Sequence, residues 1–415
     1  MLLGSALAGS AATIGLQTFF GRQSRIGQPI TTDYAVGDAA FTRVVSQLLS
    51  APLLDGNKVS ALQNGEEIIP AMLAGIRSAQ RTVTFERFLW KPGHVADQFA
   101  SALAESARAG VKVHFLQDAA SCFSPRGRAM DEMRRAGVQV ELFRRAHPMR
   151  LNNRSHNKLL VSDGREGYIG GACITDEWQG DGRTPGFWRE THYRVHGPAV
   201  AQLQRAFMAH WIEQRGEVLQ DEGYFPELER CGEDCCQVFT TSAGDQLDSA
   251  RLMLLLSFAA ARQSIRIANI FFIPDNLLRD ALVDALRRGV HVEVIVPGPD
   301  LDAQTPRSVG KARWRPLLEA GACFYEYQPA RYHCKYLTVD DCWSSVGSAN
   351  LDDRALVRNE EANLNVLSRR FAAAQVRVFE EDKRRSREIT LDGWRHRPAH
   401  EKIRGAAGAL FRSQL

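Results

Sequence analysis

The sequence has no disulfide framework. Its eight cysteines, spread over 415 residues, follow none of the spacings that staple small secreted domains, and a chain this long needs no staples. Cys231, Cys235 and Cys236 form one cluster, but no second cluster stands at zinc-site spacing, so no metal is expected and a reducing compartment is. A dominant charge is missing too: 52 Lys and Arg against 48 Asp and Glu leave a net charge of +4. Arg126, Arg128, Arg144, Arg145 and Arg150 are scattered instead of interleaved with aromatics, which argues against a nucleic-acid groove. Nothing after residue 21 approaches a membrane span, which excludes a polytopic membrane protein. Before it, Met1 to Gly21 carry no charge, yet Gly4, Ser5, Gly9, Ser10, Thr13, Gly15 and Gln17 make a poor span. No Lys or Arg precedes the stretch as a signal peptide requires, so an arm, disordered or lying in the interface, is expected over an anchor.

What is present is a globular composition, 44% hydrophobic and 24% charged, long enough for two domains. It also carries one unusual string twice. His156, Lys158 and Asp163 are followed after six residues by Gly170-Gly171-Ala172-Cys173; His333, Lys335 and Asp340 are followed after six by Gly347-Ser348-Ala349-Asn350. On a strand, His and Lys two apart share a face, whereas each Asp falls at odd spacing and points away. The small residues let a backbone approach an anion, and Asn350 can donate to it. Gly171, Ser348 and Asn350 are therefore the candidate phosphate-binding positions.

The surrounding pattern is duplicated as well. A helix ending at Gly110 precedes an expected strand over 111–116, and a helix ending at Gly137 precedes one over 138–143; the same order recurs at Gly289 and Gly321. The offsets between corresponding positions stay between 177 and 182 residues. This alternation indicates an α/β architecture built from two copies of one lobe, each a mixed β-sheet flanked by helices, related by a pseudo-twofold axis. The expected boundaries are an arm and linker over 1–40, a first lobe over 41–222, a second over 223–385, and a basic surface tail over 386–415.

Two histidines suit substitution at a phosphodiester. One neutral imidazole attacks phosphorus while the other, protonated, releases the leaving alkoxide and then activates the second alcohol. Lys158 and Lys335 would neutralise the transition-state oxygens, so the chemistry calls for no metal or other cofactor. Each histidine needs a carboxylate to fix its tautomer, and counting along the chain assigns Glu190 to His156 and Glu361 to His333, with Glu360 as the fallback. Asp163 and Asp340 complete the catalytic set as groups that shape the motif. His210 and His192 are expected to be ordinary, satisfied, partly buried residues.

These strings resemble the paired H-K-D motifs of the phospholipase D superfamily. Over roughly 41–394 the chain also resembles bacterial cardiolipin synthases, at Asn64-Gly65-Glu66-Glu67, Trp188-Arg189-Glu190-Thr191-His192, Phe271-Phe272-Ile273-Pro274-Asp275 and Gly347-Ser348-Ala349-Asn350-Leu351-Asp352-Asp353-Arg354. The resemblance implies phospholipase D-like lobes and transfer of a phosphatidyl group from one phosphatidylglycerol to another, releasing glycerol through a phosphohistidine. By analogy His156 is the nucleophile and His333 the general acid. The implied partners are phospholipids and a membrane surface, at the cytoplasmic face of the cell membrane, with no nucleic acid. Cys173 stands where the second lobe has Asn350, a departure that makes the half-sites unequal. Hydrolysis of phospholipid and a nuclease-type phosphodiesterase of the same superfamily are the alternatives.

Overall fold

The computed structural model describes residues 26–49, 51–122, 127–144, 153–242, 248–300 and 304–410, so the arm expected over 1–21 lies outside the described residues. The first lobe contributes strands β1 Leu54–Gln63, β2 Thr82–Arg87, β3 Lys112–Asp118, β4 Gln139–Phe143, β5 Leu159–Ser162, β6 Glu166–Gly170, β7 Trp188–Arg189 and β8 Thr191–His196. The second contributes β9 Asp234–Thr240, β10 Ser264–Asn269, β11 His291–Pro297, β12 Cys323–Tyr327, β13 Arg331–Tyr332, β14 Lys335–Val339, β15 Trp343–Gly347, β16 Ala362–Leu367 and β17 Ser386–Ile389. Helices are α1 Ala39–Leu48, α2 Asn64–Ser78, α3 His94–Arg108, α4 Arg128–Arg135 and α5 Val200–Arg215, then α6 Ser249–Ala260, α7 Asn276–Arg287, α8 Gln304–Arg313, α9 Arg315–Glu319, α10 Asp353–Val357, α11 Arg369–Arg384, α12 Leu391–Arg395 and α13 Ala399–Ala409.

One 15-stranded sheet runs through both lobes in the order β17-β12-β11-β10-β14-β15-β16-β9-β1-β8-β6-β5-β2-β3-β4. Leaving out β17, the order is palindromic about the antiparallel β9-β1 junction, as a twofold-related duplication requires. In each half the outer three strands are parallel and joined by crossover helices, while the motif strands β5 and β14 run antiparallel to β2 and β10. The helix–glycine–strand punctuation has a backbone cause: Gly110 and Gly289 adopt φ of 93° and 88°, the left-handed stop that releases each crossover helix into its strand.

The apolar core makes the two halves one body. Val59, Val161, Ile169 and Val195 of the first lobe pack in one cluster with Val238, Val346, Leu364 and Phe379 of the second. Two expected boundaries are corrected by packing. Val36, Phe41 and Val45 are buried in the second lobe's core, where Phe41 meets Trp343 edge-on at 4.9 Å, so this stretch serves the second lobe and not the first. The expected tail is not detached either: β17 pairs with β12 at the sheet edge, and α12 and α13 follow it. A strand of four residues, two of them charged, carries no periodicity that would mark it in advance.

Asp163 and Asp340 belong to this scaffold. Each adopts a left-handed φ, 53° and 50°, and each carboxylate collects three backbone N–H groups from the opposite lobe-internal turn: Gln80, Arg81 and Thr82 for Asp163, and Arg262, Gln263 and Ser264 for Asp340. This corrects their placement in the catalytic set, for each lies in the turn just past its strand, at the end away from the histidine, where it ties β5 to β2 or β14 to β10. Asp163→Ala is expected to lower unfolding stability by about 2 to 4 kcal/mol, from lost charge-assisted bonds and a strained φ. The turnover of the folded fraction should stay within a few-fold of the parent, as denaturant titration and active-site-normalised kinetics would test.

Candidate active site

The two H-x-K strings meet because each lobe's histidine segment pairs with the other lobe's glutamate segment. On one side the His156 N–H donates to Glu360 O at 2.8 Å and the Glu360 N–H donates to Arg154 O at 2.9 Å. On the other, β13 runs parallel to β7 with Arg331 opposite Trp188, and the His333 N–H donates to Arg189 O at 2.9 Å. The carboxylates are exchanged accordingly. Glu361 lies 2.8 Å from His156 Nδ1, and Glu190 lies 2.6 Å from His333 Nδ1. This reverses the pairing expected from chain distance, and the cause is the strand pairing itself: the nearest acid in space is the one on the neighbouring backbone, which comes from the other lobe.

Each orienting carboxylate is itself held. Glu361 accepts from the Ser348 hydroxyl at 2.6 Å and from Asn359 Nδ2 at 3.2 Å, while Glu190 accepts from the Thr191 N–H at 2.9 Å. Ser348 is thereby corrected from a phosphate ligand to a support for Glu361, since its hydroxyl is committed there and its N–H to Ala362 O. Gly171 also has a different task. A Cβ at that position would stand 2.1 Å from Glu190 Oε2 and 3.1 Å from Lys335 Nζ, so only glycine leaves room for the Glu190–His333–Lys335 group. Asn350 is buried and, with Lys335 and Asn363, lines a small cavity.

Lys158 and Lys335 are buried and turned back on their own histidines. Lys158 Nζ donates to His156 O at 2.6 Å, and Lys335 Nζ donates to His333 O at 2.9 Å while lying 2.7 Å from His333 Nδ1. Burial pushes Lys158 down to about 8 and lowers Lys335 as well. Burial, with Lys158 and Lys335 adding to it, pushes His156 down to about 4. Burial, Lys335, Lys158 and His156 push His333 well below the ordinary imidazole value. The two rings therefore sit in one cationic field. The carboxylates differ. Burial would raise Glu361, but His156, Lys158 and Ser348 hold it below the ordinary range, so it is ionised. Glu190 is pushed up to about 7 by burial, with Lys335 opposing. The His156–Glu361 pair is thus a neutral imidazole on an ionised acid, whereas His333 and Glu190 share a proton near neutrality.

Several residues escaped sequence reasoning. Phe88 meets the His156 ring edge-on at 4.8 Å and lies under Lys158, and Trp178 and Trp188 meet His333 at 4.6 and 5.3 Å. These rings desolvate the imidazoles, a role no spacing encodes. His210 departs from the ordinary reading: Nδ1 lies 2.6 Å from Glu86 and Nε2 2.9 Å from Glu360, which overcome burial and raise it to about 10. His192 is buried, neither ring nitrogen has a hydrogen-bond partner among the described residues, and burial pushes it well below the ordinary range. On the opposite side Arg189 meets Asp382 of α11 at 2.8 Å, so strand-to-helix ion pairs of reversed polarity tie the lobes together beside both histidines. Among the described residues no group of His, Cys, Asp and Glu is arranged to hold a metal ion.

Two lobes around a twofold axis, each giving one histidine and one lysine to a common cleft, define a phospholipase D-like enzyme of phosphodiester transfer. A family profile described as cardiolipin synthase, PLD-like domain, matches residues 72–211 and 254–383, one match per lobe. The chain is 31% identical over 348 residues to cardiolipin synthase 2 of Bacillus anthracis, covering 82% of this chain and 68% of that protein. It is 30% identical over 371 residues to the major cardiolipin synthase ClsA of Bacillus subtilis, covering 87% and 76%. The crystal structure of a phosphatidylserine synthase from Haemophilus influenzae superposes with a TM-score of 0.66 at 14% identity, over 90% of this chain and all of that one, a likeness of fold. The chain belongs to the cardiolipin synthase family with paired PLD-like domains.

Proposed function

We propose that the protein is a cardiolipin synthase that transfers a phosphatidyl group between two phosphatidylglycerol molecules through a phosphohistidine. The reciprocal exchange of carboxylates supports this reading, because it gives the two imidazoles different partners: Glu361, held ionised, for His156, and Glu190, raised to about 7, for His333. His156 Nε2, with Nδ1–H held by ionised Glu361, attacks phosphorus; the bond to glycerol breaks, and His333 gives that oxygen its proton. The hydroxyl of a second phosphatidylglycerol then attacks, its proton passes to His333, and the phosphorus–nitrogen bond breaks. Lys158, Lys335 and the Asn350 amide hold the phosphoryl oxygens, and the substrate's negative charge offsets the cationic pocket. One phosphodiester replaces another, so no nucleotide is consumed. The acceptor is a second lipid when the closed site keeps water out.

Substrates of this kind lie in a bilayer, so the enzyme works at a membrane surface. Buried free thiols at Cys173, Cys236, Cys334 and Cys342 support the reducing, cytoplasmic side. Among the described residues no helix is long and apolar enough to cross a membrane. The test is a mixture of the purified chain with phosphatidylglycerol vesicles and no added metal or nucleotide. Cardiolipin plus glycerol is the expected product; phosphatidic acid would make it a hydrolase, and no turnover would remove both readings.

The pH dependence follows from the same groups. His156 must be neutral to attack, so kcat/KM should rise as pH rises through about 4. The His333–Glu190 pair must carry its proton, so kcat/KM should fall as pH rises through about 7. A profile in phosphatidylglycerol micelles checks both limbs, and Glu190→Gln should displace the alkaline limb while leaving the acid limb in place.

A further inference from the structure

The last described helix, α13, carries an apolar stripe on the side away from the protein. Its docked face is Glu401, Gly405 and Gly408, set so tightly on α8 that a Cβ at Gly405 would lie 2.7 Å from Ser308 O and one at Gly408 2.5 Å from Val309 Cγ2. Glu401 faces Lys311 at 3.4 Å and Arg307 at 3.9 Å, which turns its charge inward. On the opposite face Ala399, Ile403, Ala406, Ala407 and Leu410 follow one another at helical spacing, all exposed. Ile403 and Leu410 are 70% and 71% exposed, the two most exposed large apolar side chains among the described residues. Exposed His400 and Arg404 border the stripe on one side and Lys402 on the other, and exposed Arg395 lies on α12.

In a helix held only by its own protein the large apolar side chains face inward, whereas those of α13 face outward. An outward apolar stripe rimmed by cations fits one environment, the boundary between headgroups and acyl chains of a bilayer carrying anionic lipid. A second copy is disfavoured by the same rim, since a twofold contact on this stripe would set Lys402 and Arg404 against their own images. We infer that α13 lies in the plane of an anionic membrane with Ile403 and Leu410 inserted, held by its glycine-tight seat on α8 at a fixed height over the surface. The inference deepens the lipid reading of the active site by naming the surface through which the enzyme meets its substrate.

The full chain is mixed with vesicles of phosphatidylglycerol or of phosphatidylcholine, and hydrogen exchange of residues 399–410 is followed together with cosedimentation. Phosphatidylglycerol vesicles should slow exchange in this helix and phosphatidylcholine vesicles should not. The double variant Ile403→Ser, Leu410→Ser, which alters only exposed side chains, should partition onto phosphatidylglycerol vesicles about tenfold more weakly. Its turnover of micellar phosphatidylglycerol should match the parent, which shows that it folds. Unchanged exchange, or partitioning of the variant within twofold of the parent, overturns the inference. So does a variant that binds vesicles normally but loses a dimer seen for the parent by sedimentation equilibrium, which would give the stripe to a second copy. If the parent binds vesicles through this helix but turns over no phosphatidylglycerol in vesicles or micelles, the proposed function fails and the membrane contact stands.

Discussion

Given a phosphatidyl ester of p-nitrophenol instead of phosphatidylglycerol, the His333→Ala enzyme is expected to release one equivalent of p-nitrophenol in a burst and then stall. The His156→Ala enzyme should release none above background, a loss of at least about ten-thousand-fold. The difference follows from the unequal half-sites. His156 Nδ1 is held at 2.8 Å by a carboxylate kept ionised by its neighbours, which leaves Nε2 as a lone-pair donor. His333 shares its proton with Glu190, whose carboxyl is raised to about 7, which makes that pair the proton source. A p-nitrophenolate needs no proton to leave, so the first step survives the loss of His333. The second step needs a base for the incoming hydroxyl and does not survive. The stalled enzyme should carry an acid-labile phosphatidyl group on His156, visible by mass spectrometry under alkaline conditions. A burst from His156→Ala and none from His333→Ala would reverse the two roles.

How far the sequence discloses this arrangement depends on the range over which each feature acts. His156 and Lys158 announce themselves because their string is short and repeated, whereas Asp163 takes its place from the turn after β5, where it accepts from the Gln80, Arg81 and Thr82 N–H groups. The duplication is legible because each lobe repeats helix, glycine and strand in register. Which acid serves which histidine is not, because in a twofold arrangement both carboxylates stay or both cross, and the chain carries equal signals for either. That choice is made by backbone pairing between Ser155 and Glu360 and between Tyr332 and Arg189, contacts across some two hundred and one hundred and forty residues of chain. His210 is hidden for the same reason. It reads as one polar position on a helix, and only the fold delivers Glu86 and Glu360 to its two nitrogens. α13 is the opposite case: its stripe is local and readable at helical spacing, but its basic composition points first to a solvated tail and only second to contact with anionic lipid headgroups.

The crossed pairing has a consequence that separates it from the uncrossed one. Glu361→Gln should cost about a thousand- to ten-thousand-fold in the p-nitrophenol burst, although Glu361 lies in the second lobe and His156 in the first. The amide can present its NH2 to His156 Nδ1, which places the ring proton on Nε2 and removes the lone pair that must reach phosphorus. The substitution also leaves Ser348 and Asn359 donating to a group of half the acceptor capacity, so the ring loses orientation as well as basicity. Glu190→Gln acts on the other histidine, so its burst should stay close to that of the parent while phosphatidylglycerol turnover falls by about a hundredfold or more. If carboxylates served the histidine of their own lobe, the two variants would exchange phenotypes, with Glu190→Gln losing the burst and Glu361→Gln defective only with the poor leaving group. Stopped-flow absorbance on the two purified variants, each checked for native thermal unfolding, decides between them, because the reading depends on which step fails and not on how much activity remains.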